Sequence, residues 1–220
     1  MLVSIIIPAL NEAQNLGCAV PRRADGIEVI VADGGSTDGT AQAALSMGAS
    51  VVHAPRGRGA QMDAGALASK GEILVFLHAD SVLPQGWMDA MTAALRDERV
   101  VGGAFRLTIG SRGKLLRIVE GAVTLRSRLL GLYYGDQAIF ARRDAFMRAG
   151  GFKNLPLMED VDCVKRLRKL GRLVLLDKRV VTSSRRWDRK GVLPTTLRNL
   201  LFLTLYFAGV SPARLYRWYY

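Results

Sequence analysis

Five short apolar runs, rich in β-branched residues, alternate with amphipathic stretches over the first half of the chain. We interpret the runs as strands at residues 3–7, 27–32, 50–53, 73–77 and 101–107. Helices are predicted between them, at about residues 12–19, 38–47, 59–69 and 86–96. This alternation is typical of βαβ units in a mostly parallel sheet flanked by helices. It predicts an α/β fold of Rossmann type, and 220 residues favour one such domain.

The second half continues the pattern with a basic helix at 112–128, a strand at 137–141, a helix at 159–170 and a strand at 173–176. We place the α/β domain at residues 1–190 and a basic, apolar helical tail at 191–220. Arg198 interrupts the apolar run of the tail, which is too short to span a bilayer. Docking at a membrane surface, on the core or on a second subunit in a homodimer all stay open.

The formal net charge of +12 predicts an anionic partner, which the charge alone does not identify. Diphosphate ligands, nucleic acid and acidic lipid are all anionic partners of the kind that this charge predicts. Cys18 and Cys163 are far apart in sequence and indicate neither a disulfide framework nor a zinc site. The apolar start lacks the basic region of a signal peptide. We therefore expect a cytoplasmic protein, with peripheral contact to the inner face of the membrane as an option.

Polar segments follow the first two strands, and the second of them is rich in glycine. They read P-A-L-N-E at 8–12 and D-G-G-S-T-D-G-T at 33–40. Ligands of open α/β sheets bind beyond the carboxyl ends of the strands, where these segments meet. There Asp33 is placed to accept hydrogen bonds from a base or a ribose, with glycines such as Gly35 allowing close approach. A helix-capping loop without a ligand is the alternative.

A third segment, P-R-G-R-G-A-Q-M-D-A-G at 55–65, is a glycine-rich turn that opens a helix. Backbone N–H groups beside Arg58 predict a phosphate cradle. A dinucleotide fingerprint fails on spacing, because Met62 stands where its third glycine belongs.

The first two segments, extended to I-P-A-L-N-E at 7–12 and V-I-V-A-D-G-G-S-T-D-G-T at 29–40, resemble the signature openings of family 2 glycosyltransferases. The resemblance covers residues 3 to about 187 and implies a GT-A fold and a UDP- or GDP-type sugar donor. Gly34 replaces the second Asp of the usual motif. The resemblance implies donor contacts at Pro8, Asn11, Glu12, Asp33, Gly35, Arg58, Gly59, Asp63, Ala79, Arg186 and Trp187.

The fourth strand ends in F-L-H-A-D at 76–80, which resembles the D-x-D metal motif of GT-A enzymes with His78 in place of the first Asp. Asp80 can anchor Mg²⁺ or Mn²⁺ when the donor phosphates supply the other ligands. His78 suits Mn²⁺ better. A hydrogen-bonded histidine at a strand end is the alternative for His78.

Glu159 and Asp160 stand at the predicted start of a helix, where acidic residues can be simple caps. The resemblance implies that Asp160 is the catalytic base, which takes the acceptor hydroxyl proton during an inverting displacement. Glu159 then orients the acceptor or stabilises the loop. Gly135, Asp136 and Gln137 are interpreted as an acceptor loop, and a surface loop is the alternative.

The leading hypothesis is a metal-assisted glycosyltransferase that acts on a small-molecule or lipid acceptor. It requires carboxylates from Asp33, Asp80 and Asp160 to converge at one edge of the sheet. A basic module that binds nucleic acid or anionic membrane is the non-enzymatic alternative, and we expect no nucleic-acid partner. A sugar-1-phosphate nucleotidyltransferase needs a glycine after the first strand, which is missing. Within the family, the chain is similar to a small bacterial subgroup linked with arsenosugar biosynthesis.

Overall fold

Eight strands form one sheet in the computed structural model, which describes residues 1–21 and 25–219. The strands are β1 (Val3–Ala9), β2 (Ile27–Asp33), β3 (Ser50–His53), β4 (Ile73–Phe76), β5 (Ser81–Val82), β6 (Val100–Ile109), β7 (Ile139–Arg142) and β8 (Arg172–Thr182). Their order across the sheet is β3-β2-β1-β4-β7-β6-β8-β5. All seven predicted strands are confirmed.

The first half of the sheet is parallel. Strand β1 pairs with β2 and β4, and β2 pairs with β3, all in the same direction. Strand β1 is covered on both faces, which explains its nearly continuous apolar sequence. In this register Ala9 lies beside Asp33, and Asp33 beside His53. The loops after these strands therefore start at one edge of the sheet.

The second half of the sheet is mixed. Strand β7 is antiparallel to both β4 and β6, whereas β8 is parallel to β6 and antiparallel to β5. The predicted strand at 137–141 was placed too early, because residues Gly135–Gln137 form a single turn of 3₁₀ helix before β7. The two-residue strand β5 was not predicted, because so short a segment shows no periodicity.

Ten α-helices cover the sheet within the described residues. They are α1 (Leu16–Ala19), α2 (Thr40–Ser46), α3 (Arg58–Ala68), α4 (Trp87–Ala94), α5 (Lys114–Leu130), α6 (Arg143–Arg148), α7 (Glu159–Leu167), α8 (Arg185–Lys190), α9 (Val192–Phe207) and α10 (Pro212–Tyr219). Helix α1 is shorter than predicted, and α6 and α8 were not predicted. None of the helices described here has the length and apolar character needed to cross a bilayer.

Helix α3 lies close against β1, and a glycine sets this distance. A Cβ atom on Gly65 would be 2.5 Å from Ile6 Cγ2, which is closer than real Cβ atoms approach. The same face of the sheet, near α6, is filled by three rings, Phe76, Phe146 and Phe152, whose centroids lie 4.8 to 5.5 Å apart. This packing fixes the amino end of α3 beside the carboxyl edge of the sheet.

The tail helices contact the α/β domain through one side. Leu203 of α9 packs with Leu132 and Val161, and α9 also touches α5, α8 and α10. The tail is therefore docked on the core in this structure, and the boundary predicted at residue 190 separates segments that share packing contacts.

Candidate active site

One cavity brings together residues from both halves of the sheet and from the tail. Nine of the eighteen residues predicted for the site line it: Arg58, His78, Asp80, Gly135, Asp136, Glu159, Asp160, Arg186 and Trp187. The cavity therefore contains the predicted base, both predicted metal ligands and two arginines. The other nine predicted residues lie outside its lining.

Asp160 is held at the start of α7 by a hydrogen bond across the cavity. Its Oδ2 accepts the N–H of Gly135 at 2.8 Å, and its Oδ1 accepts the N–H of Val161 at 2.7 Å. A side chain on Gly135 does not fit, since its Cβ would lie 2.6 Å from His78 Nε2. The absence of a side chain at residue 135 thus lets the loop, the carboxylate and the imidazole approach one point.

Glu159 is more deeply buried than its neighbour Asp160. Its side chain is buried, and its nearest cation is Arg58, whose Nη1 lies 3.9 Å from Oε1. Burial first, and then the charge of Asp160, raise the pKa of Glu159 to about 7, although Arg58 opposes the change. Glu159 therefore keeps its proton well above the pH at which an exposed glutamate loses it.

Glu159→Gln is expected to change how stability depends on pH. Between about pH 4.5 and 7 the folded wild type holds a proton on Glu159 that the unfolded chain releases, so stability falls as pH rises through this range. Glutamine carries no such proton. We expect the variant to gain about 2 kcal/mol relative to wild type between pH 5 and pH 8, measured by urea unfolding. If the unfolding free energies of the variant and the wild type differ by the same amount at pH 5 and at pH 8, Glu159 is not a buried, protonated group.

His78 is a neutral histidine with an available nitrogen. Burial, and then the positive charges of Arg58 and Arg186, hold the pKa of His78 well below its ordinary value. Its Nε2 is buried and has no hydrogen-bond partner among the described residues. The alternative of a strand-end histidine satisfied by hydrogen bonds is therefore wrong for Nε2. A neutral imidazole nitrogen can ligate a metal or bind a substrate hydroxyl.

Asp80 already binds a cation, the guanidinium of Arg185. Arg185 Nη2 lies 3.0 Å from Asp80 Oδ2 and 3.4 Å from Glu12 Oε2. Sequence reasoning missed Arg185, because it singled out only its neighbour Arg186 in the same basic run. Within the described residues, no three His, Cys, Asp or Glu side chains are grouped so that they could hold a metal. A cation at Asp80 therefore needs further ligands from a substrate.

The predicted nucleotide loops are present, but their polar side chains mainly bind each other. Asn11 joins the two loops, because its N–H donates to Ser36 Oγ and its Oδ1 accepts the N–H of Thr37, both at 2.9 Å. The buried Asp33 carboxylate accepts the N–H groups of Gly35 and Ser36 at 3.2 to 3.3 Å. The Asp33 carboxylate therefore binds its own loop, and only Asp80 and Asp160 of the three expected carboxylates line the cavity.

Two further predicted contacts are corrected by the structure. Gln137 is fully buried and donates from Nε2 to the carbonyl of Phe105 and to Ser127 Oγ, so it anchors the loop and does not face an acceptor. Asp63 accepts the N–H of Phe152 at 3.0 Å, so it secures a turn outside the cavity.

The remaining predicted donor residues are placed around the cavity, not in it. Gly59 is covered by the backbone of Lys153, Pro8 pairs with Ala32 inside the sheet, and Ala79 is buried. Gly35 has a left-handed φ of 89° and open space where a side chain would be. Of these four residues, Gly35 keeps the open approach that a ligand would need.

Sequence reasoning also missed the part of the tail that lines the cavity. Asn199 and Phe202 of α9 and Tyr219 of α10 form one wall, and Tyr134 forms another. The Tyr134 ring stacks on the guanidinium of Arg126 at 3.6 Å, and burial raises the pKa of its hydroxyl to about 12. The sequence did contain one signal for this wall. Asn199 and Phe202 are three residues apart in an apolar helix, a spacing that places them on the same side of it.

Comparison with known proteins gives the family. Residues 4–152 match the model of glycosyl transferase family 2. An uncharacterized glycosyltransferase of Mycobacterium bovis is 35% identical over 94 residues, which are 42% of this chain and 43% of that protein. The chain thus matches less than half the length of that relative.

Two solved structures share the fold. Glucosyl-3-phosphoglycerate synthase from Mycobacterium tuberculosis, in complex with Mn²⁺, UDP and glucosyl-3-phosphoglycerate, has a TM-score of 0.60 and 22% identity over 91% of this chain and 78% of that one. TarS 1-349 of S. aureus, in complex with UDP-GlcNAc, has a TM-score of 0.65 and 17% identity over 83% and 58%. The family match spans more than half of the chain, which therefore belongs to glycosyl transferase family 2 and has the GT-A fold.

Proposed function

We propose that this protein transfers a sugar from a nucleoside-diphosphate donor to an acceptor hydroxyl, with inversion at the anomeric carbon. The observation that carries the proposal is the Asp160 carboxylate, fixed by the N–H of Gly135 in a cavity that also contains Asp80. A fixed carboxylate can take the proton of an attacking hydroxyl. A single displacement, with the hydroxyl and the diphosphate on opposite faces of the sugar, inverts the configuration.

The charges of the cavity support a diphosphate donor. Arg58 and Arg186 both line it, and each lowers the pKa of His78 through its positive charge, so the local field favours an anion. The family 2 match and the UDP-bound neighbours support a nucleotide-sugar donor, and a uridine donor is the first to test. Arg58 and Arg186 are our candidates for diphosphate contacts.

Asp80 and His78 fit a divalent cation. Asp80 lines the cavity and already attracts the guanidinium of Arg185. The neutral His78 lines the same cavity, and its Nε2 has no hydrogen-bond partner among the described residues. When bound, Mg²⁺ or Mn²⁺ would neutralise charge on the leaving diphosphate. The Mn²⁺ in the related synthase supports this choice of cation. Arg185 would have to release Asp80 for the cation to bind.

The acceptor side is assigned to the loop that contains Asp136. Asp136 Oδ1 is buried without a hydrogen-bond partner among the described residues, and burial raises the pKa of this carboxyl. A buried unpaired oxygen is costly unless a ligand satisfies it. We infer that an acceptor hydroxyl does so. None of the relatives described above concerns arsenosugars, so that expectation stays a prediction.

A thermal-shift screen tests the proposed donor and cation together. We expect UDP-sugars with Mn²⁺ to raise the unfolding midpoint, because a ligand at about 100 times its Kd adds roughly 2.7 kcal/mol to stability. GDP-sugars, metal alone and nucleotide with chelator are the controls. If duplex DNA stabilises the protein in a salt-sensitive way and no nucleotide sugar does, the basic binding module is correct instead.

A further inference from the structure

Helix α5 exposes large apolar side chains and buries several polar ones. Its buried positions are Leu116, Glu120, Thr124 and Ser127, and Val119 and Val123 pack against the core. Its exposed positions carry large apolar side chains at spacings that form one stripe along the helix. The stripe consists of Leu115, Ile118, Leu125 and Leu129, which are 49 to 73% exposed. Exposure of such a stripe to water is unfavourable, which indicates that a binding partner covers it.

Helix α9 also exposes an apolar stripe, and it touches α5. Its inner side supplies Phe202 and Leu203 to the cavity wall and the core. Its outer side exposes Leu193, Leu197, Leu200, Leu201 and Phe207, at 48 to 64%. We call the outer stripes of α5 and α9 together the leucine face. The contact between the two helices makes them neighbours on the surface.

The leucine face lies in two basic segments of the chain. Residues 110–130 and 189–219 together contain ten Lys or Arg and one acidic residue, Glu120, so they carry nine of the twelve net positive charges. Glu120 is buried and paired with Arg117 at 2.9 Å. The other residues carry the remaining three net positive charges, and they include a second basic stretch at 165–188 with nine Lys or Arg and two Asp. The exposed leucines therefore lie in strongly basic segments, although positive charge is not confined to them.

We propose that the leucine face binds the surface of an anionic lipid bilayer. Helices that lie in the membrane interface combine an apolar face with flanking Lys and Arg, and their binding depends on acidic lipid. The exposed Trp218 of α10, beside Arg217, adds the aromatic residue typical of that boundary. This proposal concerns a surface and does not depend on the proposed sugar transfer.

A second copy of the chain fits the charges less well. A two-fold dimer would place the same surface against itself, so each basic segment would face its own like charges. Like-charge contacts of this kind oppose association. An anionic lipid surface satisfies both the leucines and the arginines.

Membrane binding would also position the cavity. Helix α9 has the leucine face on its outer side and the cavity residues Asn199 and Phe202 on its inner side. The diameter of a helix is about 10 Å, so the bilayer surface would lie within about that distance of the cavity wall. An acceptor carried on a lipid headgroup could then enter from the same side.

Vesicle flotation tests the proposal. The probes are vesicles of phosphatidylcholine alone and of phosphatidylcholine with about 30 mol % phosphatidylglycerol. We expect binding to the anionic vesicles, and about tenfold weaker binding for Leu125→Gln/Leu129→Gln and for Leu197→Gln/Leu200→Gln. The matched control is Leu45→Gln/Leu67→Gln, which removes two equally exposed leucines from α2 and α3. Unfolding curves confirm that each variant is folded.

Two outcomes would overturn the proposal. The first is binding that the leucine-face variants do not weaken relative to the control, since charge alone would then explain it. The second is a wild-type dimer in lipid-free sedimentation that the same variants dissociate, since the leucine face would then be a subunit interface.

Discussion

Asp160→Asn is expected to lower the rate of sugar transfer by about 10³-fold and to leave donor binding unchanged. Asparagine has nearly the same shape, and its single oxygen can keep the N–H of Gly135, which Asp160 Oδ2 accepts at 2.8 Å, although the hydrogen bond from Val161 is then lost. The amide cannot take a proton from the acceptor hydroxyl. The loss should therefore appear in kcat, measured in single-turnover experiments, with donor affinity from calorimetry as the second readout.

Asp162→Asn is the matched control for this prediction. Asp162 also lies in the first turn of α7, but its carboxylate pairs with Arg166 at 2.7 Å and does not line the cavity. We expect near-normal turnover in this variant. Near-normal turnover in Asp160→Asn would remove Asp160 as the base, and equal losses in both variants would indicate damage to α7 instead.

The fold was largely predictable because central strands such as β1 and β4 are buried on both faces. Continuous apolar runs such as that of β1 are visible without any knowledge of partners. What escaped prediction depends on contacts between distant parts of the chain. Strand β5 pairs with β8, which places Ser81 beside Thr182, and no local sequence pattern predicts this pairing.

Only half of the predicted site residues line the cavity, because side-chain orientation also depends on contacts between distant parts of the chain. A sequence motif identifies which residue types stand near a strand end, but not which way each side chain turns. Asp160 and Gln137 were both chosen from polar segments, yet one faces the cavity and the other is fully buried. Asp33 is satisfied by the N–H groups of its own loop. Arg185 and Asn199 contribute to the site region only because β8 and the tail return to the carboxyl edge.

The expected effect of Asp80→Ala is the loss of metal-dependent donor binding. Removal of the only carboxylate that we assign to the cation should lower kcat/KM by about 100-fold or more in saturating Mn²⁺, because removing even supporting groups of metal sites costs 10- to 100-fold. Donor affinity in the presence of chelator should stay near that of wild type. Asp177→Ala is the control, because this exposed carboxylate pairs with Arg106 and Arg128 outside the cavity.

Arg185→Gln separates a metal site from a simple ion pair at Asp80. In the present structure the Arg185 guanidinium lies 3.0 Å from Asp80, where a cation would need the same oxygens. If the two compete, removal of Arg185 should tighten Mn²⁺ binding, measured by calorimetry in the presence of UDP, and Asp80→Ala should abolish it. If Asp80→Ala instead leaves the metal-dependent shift intact, Asp80 serves only to hold Arg185, and the cation must be bound elsewhere.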